Sequence, residues 1–191
     1  MAFESVKRWF RPDPVKAAGA DLYAACVCQA RQPAFYERLG VPDTQDGRLD
    51  LLMLHVYLVT RHLRGGDGRG GDGPDPRGPD PLGQAVFDTL LRDLDDTYRE
   101  EGFGDAKVAR LVRTAAEQFY GRGRAYEQAL TEGDDAALAA ALARNAYADE
   151  DADASGLARY VCRADEALSQ GALRAGRADF PPASEATHAA A

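Results

Sequence analysis

The run Arg48-Leu-Asp-Leu-Leu-Met-Leu-His-Val-Tyr-Leu-Val-Thr-Arg-His-Leu-Arg64 is apolar on nearly every side at its centre. Leu51, Leu52, Met53, Leu54, Val56, Tyr57, Leu58 and Val59 leave no polar stripe for water, the mark of a helix surrounded by other helices. His55 interrupts the apolar stretch and Thr60-Arg61-His62 ends it, well short of the roughly 20 apolar residues a membrane-spanning helix needs. A central, buried helix is therefore expected, and the rest of the chain must supply what surrounds it.

Outward from this helix the periodicity stays helical. Upstream, Ala18 to Arg31 places Leu22, Ala25, Cys26 and Ala30 near one face, and Pro33 disfavours a helical residue before it. A short connection passes through Val41-Pro-Asp-Thr44. Downstream, residues 65–81 read GGDGRGGDGPDPRGPDP, with nothing that can enter a core, and are expected to form a long disordered loop. Leu82, Val86, Leu90, Leu94 and Tyr98 then recur every four residues, with Gly102 as a stop. Val108, Leu111, Val112, Ala115, Phe119 and Tyr126 carry a further helix to Leu130. Gly121 and Gly123 cost it about 1 kcal/mol each and so imply close packing or a kink.

Asp134 or Asp135 can cap an alanine-rich helix running to about Tyr147, and the acidic run Asp149 to Asp153 breaks it. Ser155 is a plausible cap for a last helix with Leu157, Tyr160, Val161, Ala164 and Leu168 on one side. No β-branched alternation or Asn-Gly hairpin turn argues for a sheet. The expected architecture is all-α, a single compact domain of about six helices over residues 18–170. A basic, aromatic segment (1–17) precedes it, and a tail (171–191) that frays follows.

Among the 191 residues, 23 Lys and Arg face 31 Asp and Glu, for a net charge of −8. That balance opposes a broad basic face for nucleic acid. Cys26, Cys28 and Cys162 are few, odd in number and badly spaced for a disulfide scaffold, which fits a reducing compartment. The N-terminal charges precede no apolar segment and no cleavage site, so a secretory signal is not expected.

The search for chemistry leaves little. His55 and His62 lie seven apart on one side of a helix, but the i, i+4 spacing that brings two imidazoles onto one metal is missing. His55 reads as buried and hydrogen-bonded, His62 as a surface residue. Cys26-Val-Cys28 lacks the two-residue spacer of redox and zinc motifs, and no GxxxxGK[ST], GxSxG or HExxH is present. No cofactor, metal or small-molecule substrate is expected. A small hydrolase or transferase pairing His55 with an aspartate is the enzymatic alternative.

Two features point to binding instead. Phe3, Val6, Trp9 and Phe10 interleave with Lys7, Arg8 and Arg11, a pattern that suits an anionic membrane surface or a staple onto the domain. Tyr and Arg, both favoured at protein interfaces, crowd the ends of the apolar helices: Tyr36, Arg61, Tyr120, Arg122, Arg124, Tyr126, Arg144 and Tyr147.

The wording of two regions adds to this. Ala30-Arg-Gln-Pro-Ala-Phe-Tyr-Glu-Arg-Leu-Gly-Val-Pro-Asp-Thr44, followed by Asp46 to Val59, resembles the first half of the ubiquinol-cytochrome c chaperone family. Phe119-Tyr-Gly-Arg-Gly-Arg-Ala-Tyr-Glu-Gln-Ala-Leu130 and Leu138-Ala-Ala-Ala-Leu-Ala-Arg-Asn-Ala-Tyr147 resemble its second half. The pieces stand in order over about residues 20–160.

The resemblance implies a helical assembly factor of the compact bacterial type. It would bind newly made cytochrome b, help build the cytochrome bc1 complex (complex III), and catalyse no reaction of its own. It further implies a cytoplasmic protein lying peripherally on the inner membrane. The motif positions and the interface preference mark Tyr36, His55, Tyr57, Arg61, Tyr120, Arg122, Tyr126, Arg144 and Asn145 as partner-binding. Phe3, Lys7, Arg8, Trp9, Phe10 and Arg11 are marked for the membrane surface. A groove between the Leu49 to Leu63 helix and the Phe119 to Tyr147 region would hold the client segment. The alternative is a helical interaction module with another client.

Overall fold

A computed structural model of the protein describes residues 13–64, 80–169 and 173–184. Six helices of 12 to 28 residues account for most of it: α1 (Pro14–Ala30), α3 (Gln45–Arg64), α4 (Pro81–Glu100), α5 (Asp105–Glu132), α6 (Asp135–Ala146) and α7 (Ser155–Ser169). Between α1 and α3 lies the five-residue helix α2 (Pro33–Glu37), and a 3-10 turn spans Leu173–Ala175. No strand occurs among the described residues. The fold is all-α, as the periodicity requires. The loop read at 65–81 lies outside the described residues up to position 79, and so do the membrane-surface residues Phe3, Lys7, Arg8, Trp9, Phe10 and Arg11.

Helix α3 touches α1, α4, α5, α6 and α7, which makes it the axis of the domain. Twelve of its 20 residues are buried, and Leu51, Val56, Leu58 and Val59 have no exposed surface at all. This is the packing counterpart of its all-round apolarity. Cys26, expected in the core, is fully buried. Gly19 is where α1 crosses α4: a Cβ there would sit 2.6 Å from the Ala85 Cβ, so the two helices approach only because it is absent.

The helix ends differ from the expected ones in instructive places. α1 and α4 both begin with an Asp-Pro pair. The Asp13 carboxylate accepts from the Val15 N–H at 3.0 Å, and Asp80 accepts from Leu82 and Gly83. Proline fits the next position because its missing N–H would have had no partner there. α1 thus starts four residues before Ala18, and Asp80-Pro81 belongs to a helix rather than a loop. Asp134 caps α6 as expected, accepting from the Ala137 N–H at 2.9 Å, after Gly133 at φ 67° ends α5. Ser155 is the first residue of α7 rather than its cap; Asp153 accepts from its N–H at 3.0 Å.

The largest departure is the C-terminal stretch. Residues 173–184 do not fray: Leu173 and Ala183 are buried, and Phe180 packs on the core. Their apolar side chains fill a seam at irregular intervals, which a helical period cannot register.

Candidate functional site

Helix α3 carries two polar arrangements on different sides. On one, His55 is fully buried. Its Nδ1 lies 2.7 Å from the Leu51 carbonyl oxygen, which can only accept, so Nδ1 bears the proton. Nε2 then accepts from the Tyr160 hydroxyl at 2.8 Å, and that hydroxyl accepts in turn from Gln29 Nε2 at 2.9 Å. Burial lowers the His55 pKa to about 4, so the ring is neutral near pH 7. Phe35 and Phe180 meet it edge-on at 5.4 and 5.1 Å between ring centroids. Both ring nitrogens are taken by Leu51 and Tyr160, so neither is left for a substrate, and the aspartate that a hydrolase or transferase would need is not its partner.

The other side of α3 faces α5, α6 and α7 across a charged seam. Near its start, Asp50 pairs with Arg122 of α5, whose Nη1 also lies 3.7 Å from the Met53 sulfur. Burial raises the Asp50 carboxyl, and Arg122 opposes that rise. Further along, Arg61 donates to Glu127 at 3.2 Å and to both oxygens of Asp165 at 2.8 and 2.9 Å. Burial alone would lower the Arg61 guanidinium, but Asp165 and Glu127 outweigh it and hold the charge in place. The Tyr57 hydroxyl donates to Glu127 at 2.9 Å.

His62, read as a surface residue, is a correction. Its side chain is almost fully covered, with Nε2 2.8 Å from Asp165. A carboxylate 103 residues away in the chain makes burial of that imidazole affordable.

Of the nine residues expected to bind a partner, four converge. Arg122, Tyr126, Arg144 and Asn145 meet where α5 and α6 pass the start of α3. Tyr126 is buried, and burial pushes its pKa up to about 12 against the opposing hydrogen bond from Asn145 and the charges of Arg122 and Arg144. Asn145 is half-buried; Arg144 is exposed and makes no ion pair among the described residues. Tyr57 and Arg61 line the same seam but are buried, and His55 is sealed on the opposite side.

Tyr36 and Tyr120 stand apart from this group. Tyr36 donates to the Ala30 carbonyl at 2.8 Å, with the Arg48 guanidinium 5.7 Å from its ring centre. Tyr120 is half-exposed, tilted against the Phe87 ring and edge-on to Phe119.

Of the groove expected between the Leu49 to Leu63 helix and the Phe119 to Tyr147 region, the α5 wall is closed. Tyr57 and Tyr126 pack with ring centroids 5.7 Å apart, and a Cβ added to Gly123 would touch the Tyr57 ring at 3.1 Å. Gly123 therefore serves close packing, while Gly121 faces open space, and α5 continues through both. Truncating Tyr126 would hollow the core rather than clear a binding surface. What remains for a partner is the rim: the exposed Arg144 guanidinium, whose charge reaches Tyr126, above the Asn145–Tyr126 hydrogen bond and the Asp50–Arg122 pair. Asp50, Glu127 and Asp165 were missed as members of the seam, and so was His62, which reaches Asp165 from the His55 side of α3. The available signal was acidic residues lodged in otherwise apolar helical stretches, Asp50 before Leu51 and Asp165 after Ala164.

This arrangement offers charge and hydrogen bonds, and burial raises the hydroxyl pKa of Tyr57, Tyr126 and Tyr160. Among the described residues no group of three His, Cys, Asp or Glu could hold a metal ion, and no helix is long and apolar enough to cross a membrane.

A family model described as ubiquinol-cytochrome C chaperone matches residues 37–179. The crystal structure of the Cbp3 homolog from Brucella abortus superposes with a TM-score of 0.76 at 32% sequence identity, covering 96% of this chain and 98% of that one. No curated protein matches.

Proposed function

The chain belongs to the ubiquinol-cytochrome C chaperone family, and from that premise we propose that it binds newly made cytochrome b during assembly of the bc1 complex. The observation that carries this reading is the meeting of Arg122, Tyr126, Arg144 and Asn145 inside the matched region. These are the residues of the Gly-Arg-x-x-x-Tyr and Arg-Asn-aromatic segments, drawn together from two helices. Three of the four are tied to one another or to α3, which leaves Arg144 as the group offered outward.

In this reading the protein works by holding rather than by catalysis. The exposed Arg144 guanidinium can engage carbonyl ends or a carboxylate of an incompletely assembled client, and the packed seam beneath fixes the helix that carries it. A client with many membrane helices must be met at the membrane surface. We place the chaperone peripherally on the cytoplasmic face of the inner membrane, with Phe3, Lys7, Arg8, Trp9, Phe10 and Arg11 as a reversible foothold.

The test is affinity purification of the tagged protein from its own membranes, with mass spectrometry of what co-purifies, beside a version lacking residues 1–12. Cytochrome b should be recovered with the intact chain and reduced on truncation. Recovery of unrelated proteins alone would favour an interaction module with another client.

A further inference from the structure

The C-terminal stretch is held in an unusual way. Gln29, at the end of α1, uses one amide hydrogen on the Tyr160 hydroxyl and the other on the Pro181 carbonyl, at 2.9 and 2.8 Å. Its Oε1 accepts from Gln32 Nε2 at 2.6 Å, and the Gln32 Oε1 accepts from the Ala183 N–H at 3.3 Å. Two glutamines one turn apart thus read a carbonyl and an N–H of the main chain, contacts that do not depend on side-chain identity. Between them Pro181 and Pro182 keep the segment extended. Phe180 meets the His55 ring edge-on, and Ala183 is fully buried.

The floor of this groove does not depend on the segment. His55, Tyr160 and Gln29 satisfy one another and the Leu51 carbonyl, leaving one Gln29 N–H and one Gln32 oxygen aimed outward. The segment itself is lightly held: Arg177, Asp179 and Pro182 are exposed, and Ala178, Phe180 and Pro181 only half-buried. Its departure would free the Gln29 N–H and the Gln32 oxygen for another main chain, while the bonds that join His55, Tyr160, Gln29 and the Leu51 carbonyl stay in place.

We propose that this groove, floored by His55 and Tyr160 and edged by Gln29 and Gln32, is a binding site for an extended peptide segment. Residues 180–183 occupy it in cis and give way to a client segment carrying an aromatic residue and, three positions on, a small apolar one. The groove rests on the geometry alone, whereas the client as trans ligand rests on the chaperone reading above. The two are separable because the test uses the protein's own segment as probe.

The probe is a fluorescent peptide of residues 177–184, titrated against the full-length chain. In the wild type the tethered segment competes at an effective concentration on the order of millimolar. Phe180→Ala weakens that competitor, so the F180A chain should bind the probe at least about tenfold more tightly. Adding Gln32→Ala should abolish the gain. A folded F180A chain that binds no better than wild type overturns the proposal. Hydrogen exchange on the wild type decides the matter even if F180A does not fold. The Ala183 amide should exchange at least about a hundredfold faster than that of Val56. Equal rates would mean that the segment leaves only when the whole domain unfolds, and would overturn it. Probe binding without cytochrome b recovery would retain the groove and discard the named client.

Discussion

His55 and Arg61 stand on one helix, six residues apart, and solve opposite problems. His55 faces α1 and α7 in a place water does not reach. It stays neutral and is satisfied by a carbonyl and a hydroxyl. Arg61 faces a seam whose carboxylates keep about a fifth of their side-chain exposure, 20% for Asp165 and 22% for Glu127, and there full charges pair. Where solvent is excluded a neutral network avoids the cost of desolvating ions; where solvent reaches the edge, ion pairs are tolerated. The neutral side anchors the fold, and the charged side braces the rim that carries Arg144.

The sharpest way to break this contrast is His55→Ala. It leaves a cavity, an unsatisfied Leu51 carbonyl and a stranded Tyr160 hydroxyl, so the expected loss is about 3–5 kcal/mol in urea unfolding. A loss below about 1 kcal/mol would show that the neutral side is no anchor.

Acid should act next, and on the same side. Folding lowers the His55 pKa from 6.5 to about 4, so the unfolded chain takes up the proton first. Its contribution to stability is whole above pH 6.5 and drains away as pH falls to 4. The total is about 3 kcal/mol, at about 1.4 kcal/mol per pH unit. His55→Gln should flatten that part of the stability profile between pH 6.5 and 4, and an unchanged slope would assign the acid sensitivity elsewhere.

On the charged side, Arg61→Met removes the cation shared by Asp165 and Glu127, but His62 and the Tyr57 hydroxyl still reach them and water at the edge relieves part of the cost. About 2 kcal/mol is expected by thermal unfolding, less than a fully buried pair would lose. A loss as large as that of His55→Ala would erase the distinction between the two sides.

The smallest effect separates two glycines two residues apart on α5. Gly121→Ala enters open space and should stabilise by about 0.5–1 kcal/mol. Gly123→Ala gains the same propensity but presses on the Tyr57 ring, and should be neutral or destabilising by about 1 kcal/mol. Equal shifts in melting temperature would deny the close α3–α5 contact.

What could be read in advance follows from what periodicity carries. The all-round apolarity of Arg48 to Arg64 marks a central helix because no other place in a helical domain suits it. Cys26 and His55 were legible as interior for the same reason, and Asp134 as a cap because its chemistry is local. A helical period says which face is apolar, not how closely two faces approach. The α5 wall of the expected groove is therefore closed by Tyr57 and Tyr126 over Gly123. Pairings across long separations leave no local trace, which is why His62 with Asp165 and Phe180 over His55 came only from the structure. Likewise, the resemblance gathered Arg122, Tyr126, Arg144 and Asn145 as motif residues. Only the packing separates the exposed Arg144 from its buried support.

The most direct test of the account is ubiquinol-cytochrome c reductase activity in membranes of a strain lacking this protein, complemented with the wild-type chain or with Arg144→Glu. The account predicts low reductase activity and low cytochrome b in the deletion, restored by the wild type and poorly by a folded R144E chain. Normal reductase activity in the deletion strain would contradict it.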